Sequence, residues 1–112
     1  MAIDVNTLAD AVARANQAMT GLTDVLNAAD AKLGDGDTGT MLARLIGTFA
    51  GVDLRNAPDL GAGFMALAKA GAASTGSSLG TLIITAMMTA GKLNAGQEAM
   101  DWNRLGDVIA AI

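Results

Sequence analysis

Cysteine, histidine and tyrosine are absent from this 112-residue chain. Their absence excludes disulfides, zinc sites built on thiolate or imidazole, cysteine nucleophiles, and every catalytic triad that uses an imidazole as its base. Positive charge is also scarce, with seven Lys plus Arg against eleven Asp plus Glu, a formal net charge of −4. An acidic chain has no sequence-independent grip on a phosphate backbone, so nucleic acid is not expected as a partner. The longest apolar stretch, Leu79 to Met88, is too short to span a bilayer and contains two threonines. The opening MAIDVNTLAD lacks a basic region followed by an apolar core, so a cytoplasmic location is the expectation. What remains is a chain that is 52% apolar and only 16% charged, the composition of one packed globular domain over residues 1–112. Its chemistry must run on carboxylates, hydroxyls, amides, a few cations or a bound metal.

Helical periodicity dominates. Val5, Leu8, Val12, Ala15, Met19, Leu22, Leu26 and Ala29 recur in alternating steps of three and four, which predicts one long amphipathic helix. It ends where Gly34, Gly36 and Gly39 interrupt the period. A second helix starts around Thr38 to Thr40, carries Met41, Leu42, Leu45, Ile46 and Phe49 inward, and stops near Gly51. Asn56-Ala57-Pro58-Asp59 reads as a helix start, and the third helix buries Leu60, Phe64, Leu67 and Ala68. From Leu79 to about Ala90 the chain is apolar nearly all round, which predicts a helix enclosed by its neighbours, although Leu82 to Thr85 alone also suits a short buried strand. A fifth helix is expected to hold Met100, Trp102, Leu105, Val108 and Ile109. The predicted class is all-α, an antiparallel bundle of about five helices, with core or interface packing for Trp102 and the methionines. The greasy fourth helix and the apolar end of the fifth point to oligomerisation or to a missing second half.

Two loops carry the chemistry. Asp30, Asp35 and Asp37 lie within eight residues, and without them the chain has seven cations against eight anions, so most of the net acidity belongs to this one loop. Carboxylates this close repel one another unless a cation sits between them, and an all-oxygen set favours magnesium or calcium. A solvated acidic turn is the plain alternative, since Asp and Gly are common turn residues. A calcium loop of the EF-hand type fails on position, because counting from Asp35 the sixth residue is Thr40 and the twelfth is Ile46. Gly34-x-Gly36-x-x-Gly39 matches a dinucleotide fingerprint in form, but it follows a helix and sets two carboxylates where a pyrophosphate should approach. Magnesium together with a phosphate ligand removes that conflict. The loop leads into a helix whose first amides, those of Thr38, Gly39, Thr40 and Met41, would face an anion. Forty residues on, Ser74-Thr75-Gly76-Ser77-Ser78 supplies hydroxyls beside the start of helix four. As a plain loop, it would simply cap that helix.

The string Leu26-x-x-x-Asp30-x-x-Leu33-Gly34-Asp35-Gly36-Asp37-x-Gly39, followed by Ser74-Thr75-Gly76-x-x-x-Gly80-Thr81, resembles the nucleotide-binding L domain of dihydroxyacetone kinases. A similar domain opens the bacterial fatty-acid kinases. The resemblance implies a barrel of antiparallel helices in which Asp30, Asp35 and Asp37 hold two Mg²⁺ that bridge the phosphates of ADP or ATP. It also implies that Thr38, Gly39, Thr40 and Met41 wrap those phosphates and that Ser74, Thr75 and Gly76 touch the nucleotide from the second loop. The implied reaction is phosphoryl transfer to a small hydroxyketone held by a K-type substrate subunit, with ATP or a phosphocarrier protein as donor. No catalytic residue beyond the metal ligands is assigned, and Lys32 reads as a solvated lysine rather than a phosphate ligand. Thr38 stands where the dihydroxyacetone kinases often have histidine, so Asp-Gly-Asp-Thr-Gly-Thr is nearer the fatty-acid-kinase style, whereas Asp30 and Leu33-Gly34 favour the other branch. The resemblance spans nearly all of this chain but only the first half of an eight-helix barrel, so the rest is expected from a second half-domain chain, from another copy, or from a piece lost to truncation. A non-catalytic nucleotide or magnesium module is the alternative reading.

Overall fold

In the computed structural model, which describes all 112 residues, five α-helices carry the chain: α1 (Val5–Asp30), α2 (Thr38–Ala50), α3 (Leu60–Ala72), α4 (Ser78–Leu93) and α5 (Leu105–Ala111). The all-α expectation holds. Local capping sets three of the starts. Asp4 and Thr7 form a capping box at α1, with Thr7 N–H donating to Asp4 Oδ1 at 2.9 Å and Asp4 N–H to Thr7 Oγ1 at 3.3 Å. Asp59 Oδ1 accepts from Ala62 N–H at the start of α3, and Ser77 Oγ from Gly80 N–H at the start of α4. Pro58 therefore stands just before the cap and outside the first turn of α3.

The helices pair as two antiparallel hairpins. Ala9 and Val12 near the start of α1 pack with Leu45 and Phe49 near the end of α2, together with Leu54 and Leu67. In the second hairpin Gly61, at the start of α3, lies against the backbone carbonyl of Asn94, just past the end of α4. Any Cβ at Gly61 would collide with that carbonyl, so the close crossing requires glycine there. Leu60 N–H donates to Gln97 O at 2.9 Å and ties the same corner. A second cluster of Ile3, Leu60, Ala90, Met100 and Val108 lies at this end, and Leu8 touches both clusters.

Three expectations are corrected. Met100 and Trp102 are not in the fifth helix. Met100–Asp101 (β2) pairs antiparallel with Ala2–Ile3 (β1), in the register Ala2 to Asp101 and Ile3 to Met100, and Trp102–Arg104 forms a single 3₁₀ turn before α5. Two residues are too few for an alternating pattern to register, so the strands are invisible to periodicity. Trp102 is half exposed, at 52%, while its backbone N–H donates to Met1 O. Finally, α4 is not enclosed. Gly80, Ile84, Ala90 and Gly91 are buried, whereas Leu79, Leu82, Met88 and Leu93 are exposed, Leu82 by 58%. Leu82 to Thr85 is helical.

The molecule measures 42 × 26 × 25 Å and exposes 6483 Å². A compact monomer of 11.2 kDa exposes about 5,700 Å². The elongated shape accounts for a larger surface than a compact chain of this size would show. No helix is long and apolar enough to cross a membrane.

Candidate phosphate and metal site

Helix α2 differs from its neighbours in having no cap of its own. Asp37 occupies the cap position, but its side chain makes no capping hydrogen bond. Helix α1 supplies the acceptors instead. Asp30 Oδ2 accepts the N–H groups of Asp37 at 3.0 Å and Thr38 at 3.2 Å, and Asn27 Oδ1 accepts that of Thr40 at 3.0 Å. Asn27 Nδ2 returns a bond to Thr40 Oγ1 at 3.0 Å. The last turn of α1 is thus the N-cap of α2, which satisfies amides that the first turn of a helix leaves without partners. The approach is close. A Cβ at Gly39 would drive into the Thr23 carbonyl oxygen, and one at Gly34 would come within 2.5 Å of Asp30 Oδ1. Gly36 turns the loop at φ +76°, in the left-handed region that glycine enters without steric cost.

This geometry gathers the three aspartates. One carboxylate oxygen from each of Asp30, Asp35 and Asp37 lies within 4.8 Å of the others, with Asp30 partly buried and the other two exposed. Their electrostatics diverge. Hydrogen bonds from Thr38, its side chain first and then its amide, hold Asp30 below the usual carboxylate range. The neighbouring charge of Asp35, with a smaller contribution from Asp30, pushes Asp37 above it. Asp30 Oδ2 is committed to the backbone amides of Asp37 and Thr38. The donor set is all oxygen, negatively charged and closely spaced, which fits a hard divalent cation such as Mg²⁺.

Beside the aspartates lies a cleft of about 220 Å³ between the starts of α2 and α4. Asp37, Thr38, Thr40, Met41 and Arg44 form one wall; Ser74, Thr75, Gly76, Ser77 and Leu79 form the other. The fold therefore brings together both loops singled out in the sequence, although they are some forty residues apart. Gly39 alone of the expected phosphate ligands is buried under the helix crossing and lines no cleft. The amide cradle expected at Thr38 and Thr40 is committed to Asp30 and Asn27, and Met41 N–H bonds Asp37 O. What α2 offers the cleft is side chains. At α4 Gly80 N–H is the one helix amide that Ser77 Oγ accepts, which leaves the Leu79 amide at the cleft without an intrahelical acceptor. Thr75 Oγ1 accepts from Ser77 N–H at 3.3 Å and shapes that turn. Lys32 is exposed and lines neither the cleft nor the aspartate cluster.

Two residues of the site escape a reading of motifs. Asn27 stands one turn before Asp30 on the same face of α1, and that helical spacing is the signal that links them. Arg44 stands one turn after Thr40 on α2 and is visible by the same rule. Comparison with protein-family models, curated proteins and solved structures finds no match to this chain.

Proposed function

We propose that this chain is the magnesium-nucleotide-binding part of a dihydroxyacetone-kinase-like phosphotransferase, which transfers a phosphoryl group to a small hydroxyketone held by a partner subunit. The observation that carries the reading is the single cleft formed by the aspartate loop and the Ser74–Gly76 loop, with three clustered carboxylates at its edge. In this reading Asp30, Asp35 and Asp37 hold two Mg²⁺, and Thr38, Thr40, Met41, Ser74, Thr75 and Gly76 surround the phosphates of ADP or ATP. Bound Mg²⁺ supplies neutralisation of the charge that develops on the transferred group. The chain's own residues position the phosphates. The Leu79 amide approaches from α4, the hydroxyls of Ser74 and Thr75 from the loop before it, and Thr38 and Thr40 from α2. No lysine or histidine lines the cleft, so the base for the acceptor hydroxyl is assigned to the partner subunit.

The open side of α4 supports an assembly. Leu79, Leu82, Met88 and Leu93 stand exposed along it. The proposed occupants are a second half-domain chain or another copy of this one, in addition to the K-type subunit and, in one branch, a phosphocarrier protein.

The test is phosphoryl transfer to dihydroxyacetone, measured with MgATP and a K-type subunit present. Transfer that disappears in Asp37→Asn supports the proposal. Binding of MgADP without transfer to any small hydroxyketone leaves a regulatory nucleotide module in its place. Fatty-acid-dependent transfer assigns the other branch, and no binding of MgADP by calorimetry sinks all of these readings.

A further inference from the structure

Arg44 lies seven residues beyond Asp37, about 10 Å along α2 at 1.5 Å per residue, and both line the same wall of the cleft. Its guanidinium has no carboxylate partner. The chain's one ion pair joins Arg55 to Asp10, and no hydrogen bond engages the Arg44 side chain. An exposed cation without an internal partner therefore stands on the cleft wall that begins at Asp37. On the other wall the second loop offers hydroxyls and the Leu79 amide.

The same cleft lacks the features that read a base. The aromatic side chains of the protein, Phe49, Phe64 and Trp102, all lie elsewhere, so no ring is available for stacking. Met41 and Leu79 are its only large apolar side chains. Its volume, about 220 Å³, falls below the roughly 300–1,000 Å³ of sites that enclose a whole small ligand. These dimensions and polar walls suit a short polyanion with its metal, and leave a nucleobase outside.

Building on the nucleotide reading above, we propose that this chain recognises the metal-bound diphosphate alone, without selecting the base, and that Arg44 is the positioning residue that grips the phosphate farther from the aspartates. A planar guanidinium gives two parallel hydrogen bonds to one phosphate, which a lysine ammonium cannot reproduce.

The full chain is titrated by calorimetry with magnesium pyrophosphate, MgADP and MgGDP, alongside Arg44→Gln, Arg44→Lys and the control Arg14→Gln on the exposed face of α1. The expected result is that all three ligands bind within about threefold of one another. Arg44→Gln weakens each by about tenfold or more, the loss of a charge-assisted contact, with its ligand-free melting temperature unchanged. Arg44→Lys recovers part of the affinity, and Arg14→Gln recovers the wild-type values. Binding of MgADP but not of pyrophosphate, or a preference of more than about tenfold for one base, overturns the inference while the nucleotide reading stands. So does an Arg44→Gln variant that binds as well as wild type. Failure of all three ligands to bind removes both.

Discussion

Asn27 and Thr40 are bonded to each other twice: the Thr40 N–H donates to Asn27 Oδ1 and the Asn27 Nδ2 to Thr40 Oγ1, each at 3.0 Å. This reciprocal pair, with Asp30 beside it, fastens the start of α2 to the end of α1 and sets the aspartate loop between them. The loop owes its shape to these anchors, so changes to them test structure and site together.

Asn27→Ala removes both bonds and exposes the Thr40 amide. We expect a loss of about 1 kcal/mol for the pair, a fall in melting temperature of roughly 4–8 °C, and weaker MgADP binding in the same variant. Thermal unfolding and calorimetry on one preparation check both.

Two glycines of α2 give opposite results when changed to alanine. A Cβ at Gly39 meets the Thr23 carbonyl oxygen, so Gly39→Ala forces α1 and α2 apart and costs about 1–3 kcal/mol. Gly47 has only Asn16 Oδ1 near, at 3.8 Å. There the gain in helix propensity dominates, and Gly47→Ala stabilises by about 0.5–1 kcal/mol. Urea denaturation with an unchanged slope measures each.

Asp35 repels Asp37 and raises its proton affinity. Asp35→Asn relieves that repulsion and raises the melting temperature in metal-free buffer at neutral pH. The same change weakens magnesium binding, because a ligand charge is lost. Melting curves with and without Mg²⁺ show the two effects as a smaller metal-induced shift on a higher baseline.

The α1 cap predicts the response to acid. Thr7, through its amide and then its hydroxyl, lowers the proton affinity of Asp4 in the folded chain. A carboxyl depressed on folding contributes stability that is complete above its unfolded value, near 3.8, and is lost as pH falls through the lower folded value. Asp4→Asn should therefore reduce the slope of stability against pH below that value, measured by chemical denaturation across the acid range.

Leu82 is 58% exposed on α4 and contributes nothing to the two core clusters. Leu82→Glu is expected to change the stability of the monomer by less than about 0.5 kcal/mol. If the open face of α4 is an interface, the substitution abolishes assembly, which native mass measurement detects.

Sequence and fold divide the credit along physical lines. The alternating spacing from Val5 to Ala29, the glycines from Gly34 to Gly39 and the Asp59 and Ser77 caps act within a turn or two of chain, where periodicity and capping operate, and the helices they define were legible. The aspartates and the Ser-Thr-Gly loop were legible as residue types, since all-oxygen chemistry needs no structure to recognise. The two-residue strands were not, because pairing Ile3 with Met100 spans nearly the whole chain. The surroundings of α4 are hidden from the sequence for a related reason. An all-apolar helix requires a partner on every side, but composition does not say whether that partner is in the same chain.

The sequence by itself therefore determined where helices form and which atoms are available as ligands. Only the tertiary structure decided how those atoms are used. It diverted the first amides of α2 to Asn27 and Asp30, left that of Leu79 on α4 open, and put Arg44 opposite the second loop. The diversion of the α2 amides arises from the crossing of α1 and α2, a close approach that Gly39 permits and that no local rule contains.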